Sequence, residues 1–237
     1  MKLSKKRTQN SIVDIISNKE ERSTTHISES NTSSEVLSKT PTEEDFERVS
    51  EIPLKKIISG GQTGADRGAL EAGYELGFET GGTAPLNYYT SKGKSPELGY
   101  KFHLKELELK ATQSKISYEK MYIQRSMKNI DDSDATIAFR LYDSAGTDKS
   151  IGYCLTKKWE KVNSKVHIFK PYRPILIITD ISLENTQSNT NKMLSFLFEH
   201  NVRTLNVCGH RDDSVNNSFT LAVKDSLINA LICYRRK

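Results

Sequence analysis

Cysteine is scarce in this chain, and the three present, Cys154, Cys208 and Cys233, are odd in number and far apart. That excludes a disulfide framework and a cysteine-built zinc site, and reads as reduced thiols in an intracellular protein. No apolar run approaches the ~20 residues that cross a bilayer, which argues against a membrane partner. The basic start, Met1 to Arg7, is followed by no hydrophobic signal core. It reads as a solvated end in a cytoplasmic protein, with a weak nuclear-import patch or a poor transit peptide as the alternatives. No arginine-rich run or basic stripe with interleaved aromatics occurs, so nucleic acid is not the expected partner. Also missing are H-E-x-x-H, Cys-x-x-Cys, G-x-S-x-G and any close cluster of carboxylates. The spacing offers no nucleophile–base pair, so no catalytic residue is assigned, and any enzyme activity is left open with the balance against it.

What is present divides in two. Residues 1–50 contain no glycine, are rich in Ser, Thr, Glu and Lys, and hold only scraps of apolar sequence such as Ile12-Val13. Such a stretch cannot bury enough surface to offset the entropy of ordering it and is expected to be a disordered tail. Thr42 to Asp45 resembles a short helix start within it. The acids and bases of the tail nearly cancel, so the net charge of +5 belongs to the remainder. A mild positive excess suits a small anionic ligand.

From Leu54 to the last residue the pattern predicts one ligand-binding domain (54–237). A strand over 54–59 runs into a double glycine, and a helix over 65–76 carries Ala69, Leu70, Gly73 and Leu76 on its apolar stripe. A short strand over 78–82 precedes a long irregular segment, 83–105. A helix over 118–130, a strand over 135–139 and a helix from Thr147 or Asp148 to Trp159 follow. Strands over 166–169 and 174–179, a helix over 190–200, a strand over 204–208 and a last helix over 215–232 complete the order. That helix is expected to face inward with Leu221, Leu227, Ala230 and Leu231. Alternating helices and short, continuously apolar strands predict an α/β fold: a Rossmann-like, doubly wound, mostly parallel sheet with helices on both faces.

In such a sheet the ligand lies beyond the carboxyl ends of the strands. Three predicted strands end in small polar loops leading into helices. The first is Ser59-Gly60-Gly61-Gln62-Thr63-Gly64. Its glycines would let the backbone approach a phosphate, and the helix start behind them offers free N–H groups. A tight turn that needs glycine for geometry alone is the other reading. The sequence matches neither the nucleotide P-loop nor G-x-G-x-x-G. The second loop, Ser144-Ala145-Gly146-Thr147, puts two hydroxyls at a helix start. The third, Cys208-Gly209-His210-Arg211-Asp212, could grip a phosphate through Arg211, unless Arg211 pairs with Asp212 or Asp213.

Other residues carry weaker signals. Cys208 reads as a packed thiol, and His210 shows no acid–base partner. Asp134 is expected to cap the preceding helix. Arg125 and Asn129 share a helix face and suit a structural pairing somewhat better than a ligand. Tyr88, Tyr89, Lys92 and Lys94 in the long loop could cover a bound ring, or stand there as a solvated loop.

Taken in order, Ser59 to Arg67, Gly81-Gly82, Ala84-Pro85, Tyr122 with Arg125 and Asn129, Ser133 to Thr136, Ser144 with Gly146-Thr147, and Leu205 to Val207 before Gly209 and Arg211 resemble the molybdenum cofactor carrier proteins. These belong to the SLOG group of Rossmann-like proteins, which also holds the lysine-decarboxylase-like phosphoribohydrolases. The likeness covers nearly all of 54–232 and none of the tail. It implies binding of the molybdenum cofactor (molybdopterin), or of a related phosphorylated pterin or nucleotide, without turnover, in a homo-oligomer. It implies phosphate contacts at Gly60, Gly61, Gln62, Thr63, Gly64, Ser144, Gly146 and Thr147, with Arg67 and Arg211 beside them. The chain departs from the family at His210, where proline is common, and at Leu86-Asn87. The hydrolase relatives carry P-G-G-x-G-T-x-x-E. Here Ser150 stands where their glutamate does, which argues against N-glycosidic hydrolysis.

Three functions compete: a carrier of a small phosphorylated ligand, a nucleoside monophosphate hydrolase using Asp66, Asp143 or Asp148, and a nucleotide-sensing module whose tail binds a partner.

Overall fold

In the computed structural model, residues 53–109, 117–156, 158–163, 166–170, 173–212 and 218–235 are described; all lie in the compact unit Pro41–Lys237. The tail and the helix start at Thr42 fall outside them. The elements are β1 (Lys56–Ile58), α1 (Ala65–Glu75), β2 (Glu79–Gly81), β3 (Thr83–Ala84), β4 (Tyr89–Thr90), β5 (Gly93–Lys94), α2 (Glu97–Tyr100), β6 (Lys105–Glu106), α3 (Tyr118–Asp131), β7 (Ala135–Phe139), α4 (Ala145–Leu155), β8 (Lys158–Asn163), β9 (Val166–Lys170), β10 (Ile175–Ile178), α5 (Thr186–Glu199), β11 (Thr204–Gly209) and α6 (Ser218–Arg235).

Five strands form one sheet in the order β10-β7-β11-β1-β2, and every pairing in it is parallel. The predicted Rossmann-like doubly wound sheet is therefore present. Counted from β11 instead of from β1, the same order reads 3-2-1-4-5, that of an ordinary doubly wound domain. The chain is thus a circular permutation of it. The join that an unpermuted domain has from α6 to β1 is the one opened here, where α6 is the last described element and β1 the first, while β7 runs on through α4 to β10. Adjacent β11 and β7 mark the topological switch point.

The two faces of the sheet differ because successive side chains alternate. Ile57, Ala135, Ile137, Phe139, Leu205 and Val207 enter one apolar core with Ala69, Met193, Leu197, Val223 and Leu227 from α1, α5 and α6. Their alternates, Thr136, Asn206 and Cys208, turn to the α3–α4 side. There Asn206 Nδ2 donates to Thr136 Oγ1 at 3.2 Å. This polar, small-residue face leaves room at the strand tips.

Several expectations need correction. The segment 83–105 is not a bare loop. It folds into two short strand pairs, β3 with β6 and β4 with β5, over a second apolar cluster of Leu70, Ala84, Leu98, Phe102 and Leu104. Helix α4 starts with Ser144 as its N-cap and ends at Leu155, where Thr156 turns extended. Trp159 lies instead in β8, whose antiparallel pairing with β9 was not foreseen. Leu221 is 53% exposed. It sits on the outer face of α6, while Leu227, Ala230 and Leu231 face the core. Asp134 does not cap α3. Its carboxylate accepts the N–H groups of Arg203 and Thr204 at 2.9 and 2.8 Å, fixing the entry to β11.

Candidate ligand site

The strand tips of β1, β11 and β7 are neighbours, as the three-loop reading requires. Beyond them, between α3 and the start of α4, lies a cavity of about 320 Å³. Of the residues expected to bind ligand, Gln62, Ser144, Gly146, Thr147 and Arg211 line it. Gly60, Gly61, Thr63, Gly64 and Arg67 do not.

The first loop is held by its own protein. The Gln62 N–H donates to Asp66 Oδ2 at 3.2 Å. The Gly64 N–H donates to Asp212 and to Thr220, and Ala65 N–H donates to the His210 carbonyl. Three amides at the start of α1, those of Gln62, Gly64 and Ala65, therefore already have acceptors, and two of these acceptors are carboxylates that take the place of an anion at the helix start. Its glycines answer to geometry. A Cβ on Gly60 would fall on the Arg125 guanidinium, and Gly64 has φ +81 with the His210 carbonyl directly against it. Thr63 Oγ1 meets Ser91 Oγ at 2.9 Å, and Gln62 Oε1 accepts the Ser91 N–H, so both side chains fasten the β4–β5 hairpin. Arg67 pairs with Glu97 at 2.7 Å and also donates to Ser95.

The second loop is different. The first hydrogen bond of α4 runs from Asp148 N–H to the Ser144 carbonyl at 2.8 Å. The N–H groups of Ala145, Gly146 and Thr147 precede it, and these are the donors that a helix leaves unmatched at its start. The Ser144 side chain makes no cap to them. Ser144 and Thr147 hydroxyls lie 3.3 Å apart beside them. A Cβ on Gly146 would meet nothing within 4 Å, so glycine here is not demanded by packing. The start of this eleven-residue helix opens on the cavity.

Charge around the cavity favours an anion. Arg125 Nη1 is paired with Asp66 Oδ2 at 2.8 Å, both side chains buried. At the rim Lys149 is 2.9 Å from Glu119 and holds that carboxyl below its ordinary range. Arg211 is exposed, lines the cavity and has no ion pair among the described residues. Asp212, one of its two expected rival partners, is spent on Gly64 and Thr220; the other, Asp213, lies outside the described residues. Among the described residues the surplus is one guanidinium and the positive end of α4.

Carboxylates capable of catalysis are few here. Asp143 and Asp148 both bind Arg140, at 2.7 and 2.6 Å, and neither lines the cavity. Asp66 is locked to Arg125, and the Ser150 hydroxyl turns back to the Gly146 carbonyl. Loss of solvation pushes the Cys208 thiol well up and Cys154 up to about 11, so both stay protonated. Tyr88, Tyr89, Lys92 and Lys94 do not line the cavity, although the Tyr89 carbonyl accepts from the hydroxyl of Tyr122, which does; the wall opposite α4 is α3. Glu119, Tyr122, Ser126 and Met127 line it. They were not read as site residues, although their i, i+3, i+7 and i+8 spacing puts them on one helix face. Asn129 is structural, its Oδ1 accepting the Thr83 N–H at 2.6 Å.

Residues 57–229 match the model of the circularly permutated YpsA SLOG family. The chain belongs to that family. A circular permutation is also what the strand order displays, with β11 standing first in the unpermuted count. A solved structure from Syntrophus aciditrophicus SB, designated a molybdenum carrier protein, is similar at 24% identity. It aligns over 74% of this chain and 96% of its own, with a TM-score of 0.56. At that identity it supports the fold of this SLOG chain. Among curated proteins none matches.

Proposed function

We propose that this SLOG protein binds and carries a small phosphate-bearing ligand, the molybdenum cofactor or a related pterin or nucleotide, without transforming it. The observation that carries the proposal is the uncapped start of α4 opening on a cavity at the switch point. Its volume of about 320 Å³ is within the range of small-ligand pockets. The amides of Ala145, Gly146 and Thr147, the hydroxyls of Ser144 and Thr147, and Arg211 hold the phosphate. The first loop, Ser59 to Gly64, shapes the floor under Gln62 instead of gripping the anion. The Syntrophus aciditrophicus relative, designated a molybdenum carrier, supports the choice of cofactor.

Native mass spectrometry of gently purified protein is expected to show a bound phosphorylated small molecule. Thermal-shift titration with phosphorylated pterins and nucleoside monophosphates is expected to raise the melting temperature. No shift with any of them would end the carrier reading. Free base released from nucleoside monophosphates would replace it with the hydrolase reading, which the lack of an unpaired carboxylate in the cavity among the described residues disfavours.

A further inference from the structure

His210 belongs to none of the ligand contacts above, yet it ties the site together. Its ring is 2% exposed. Nε2 accepts the N–H of Leu141 at 2.8 Å and that of Tyr142 at 3.1 Å. A nitrogen that accepts must keep its lone pair, so the ring is neutral with its proton on Nδ1. That Nδ1 is buried without a partner among the described residues. The Tyr142 ring stacks on the imidazole at 3.7 Å and 7°. The backbone of His210 also donates to the Phe139 carbonyl and accepts from Ala65. One residue of the third loop thus fixes the tip of β7, the loop before α4 and the start of α1. Leu141 and Tyr142 lie just ahead of Ser144, where the anion site begins.

We propose that His210 is the positioning residue of this site: its unprotonated Nε2 holds the β7–α4 loop in the form that presents the α4 amides, so protonation of the ring uncouples anion binding. The inference rests on the anion site proposed above. A proton on Nε2 would face two N–H donors, losing both bonds and replacing them with repulsion. Among the described residues the charged groups facing the ring are few. Arg140 at the end of β7 opposes protonation and Asp148 of α4 favours it, and the two are paired with each other at 2.6 Å. From α6 the neighbour is Phe219, from α1 the Ala65 backbone, and from the loop the Tyr142 phenol ring. In its own loop, Asp212 is bound to Gly64 and Thr220, and Arg211 faces the cavity. Burial, the largest influence, sets the imidazole below its ordinary 6.5.

The sign of a linkage tests this. An anion bound near a histidine that merely lies close raises its pKa by attraction. An anion whose site needs the neutral ring lowers it, because binding and deprotonation then favour each other. The experiment is a pH titration of the ¹⁵N-labelled full chain by NMR, with and without sulfate, which remains a dianion throughout. The Leu141 and Tyr142 amides are expected to shift with one midpoint below 6.5, and sulfate is expected to move that midpoint lower. Below it, sulfate affinity, read at the Gly146 and Thr147 amides, falls about tenfold per pH unit. His210→Gln, whose carbonyl can accept both amides without titrating, is expected to retain sulfate binding in acid. His210→Leu, with no acceptor, is expected to bind weakly at every pH. A midpoint raised by sulfate, or Leu141 and Tyr142 amides that ignore the titration, overturns the proposal alone. Gly146 and Thr147 amides silent to sulfate at neutral pH overturn the anion site, and this inference with it.

Discussion

Two glycines of the strand-tip loops look alike in the sequence and play opposite parts. Gly64 takes φ +81 against the His210 carbonyl, a backbone region where an L side chain is strained. Gly64→Ala is expected to cost more than about 1 kcal/mol, and up to several because the carbonyl cannot retreat; chemical denaturation measures it. Gly146 faces open space on the first turn of α4. Gly146→Ala is expected to leave stability unchanged or raise it by up to ~1 kcal/mol. The added methyl crowds the phosphate, so the same variant should weaken ligand binding. A protein as stable as the parent that binds less separates the binding role from the folding role. His210 gives a third prediction. Its pKa is lowered in the fold, mainly by burial, so below 6.5 the unfolded chain takes up a proton that the folded one refuses. This contribution is whole above that pH and lost as pH falls through it. The difference in unfolding free energy between the parent and His210→Gln should therefore narrow on acidification, and a pH-independent difference would contradict it.

At the scale of elements, α3 is joined to the α1 loop by one buried ion pair. Arg125 and Asp66 are 2.8 Å apart, and Asp66 also accepts the Gln62 N–H. Removing only Arg125 strands a buried carboxylate, so Arg125→Met is expected to cost about 3–5 kcal/mol. Combining it with Asp66→Leu is expected to recover part of the loss, since two apolar side chains leave no charge to solvate. A double variant no more stable than the single one would show that the pair adds more than charge balance. Helices α1 and α6 make a closer contact. A Cβ on Gly68 would lie 2.5 Å from the Thr220 carbonyl oxygen. The glycine in the middle of α1 therefore sets how near the two helices approach, at the expense of local helix propensity.

For the molecule as a whole, the strand order makes a topological prediction. Helix α6, the last described element, follows β11, and β1, the first, is the neighbour of β11 in the sheet. Joining Arg235 to Pro53 by a flexible linker and opening the chain at exposed Asn201 gives a protein that starts at β11. It has the 3-2-1-4-5 order of an unpermuted domain. It is expected to unfold cooperatively with a denaturant slope close to that of residues 53–237 carrying the native connection, because the buried surface is the same. Loss of a cooperative transition would mean that the present connectivity, and not the packing alone, sustains the sheet.

Much of this architecture was written in the local sequence. Alternation of short apolar strands with amphipathic helices determined the parallel doubly wound sheet, and β7 was legible at its true bounds because Ala135 to Phe139 is buried on both faces. Local patterning also placed the three small polar loops at the strand tips. What it could not decide was which loop has amides to spare. That depends on Asp212 and Thr220, 148 and 156 residues beyond Gly64 in the chain, whose arrival at the start of α1 follows only from packing α6 beside it. The same holds for His210, whose partners, Leu141 and Tyr142, belong to another strand's loop. Hydrogen-bond donors are counted in the sequence, but whether they are free is settled by what the fold brings against them.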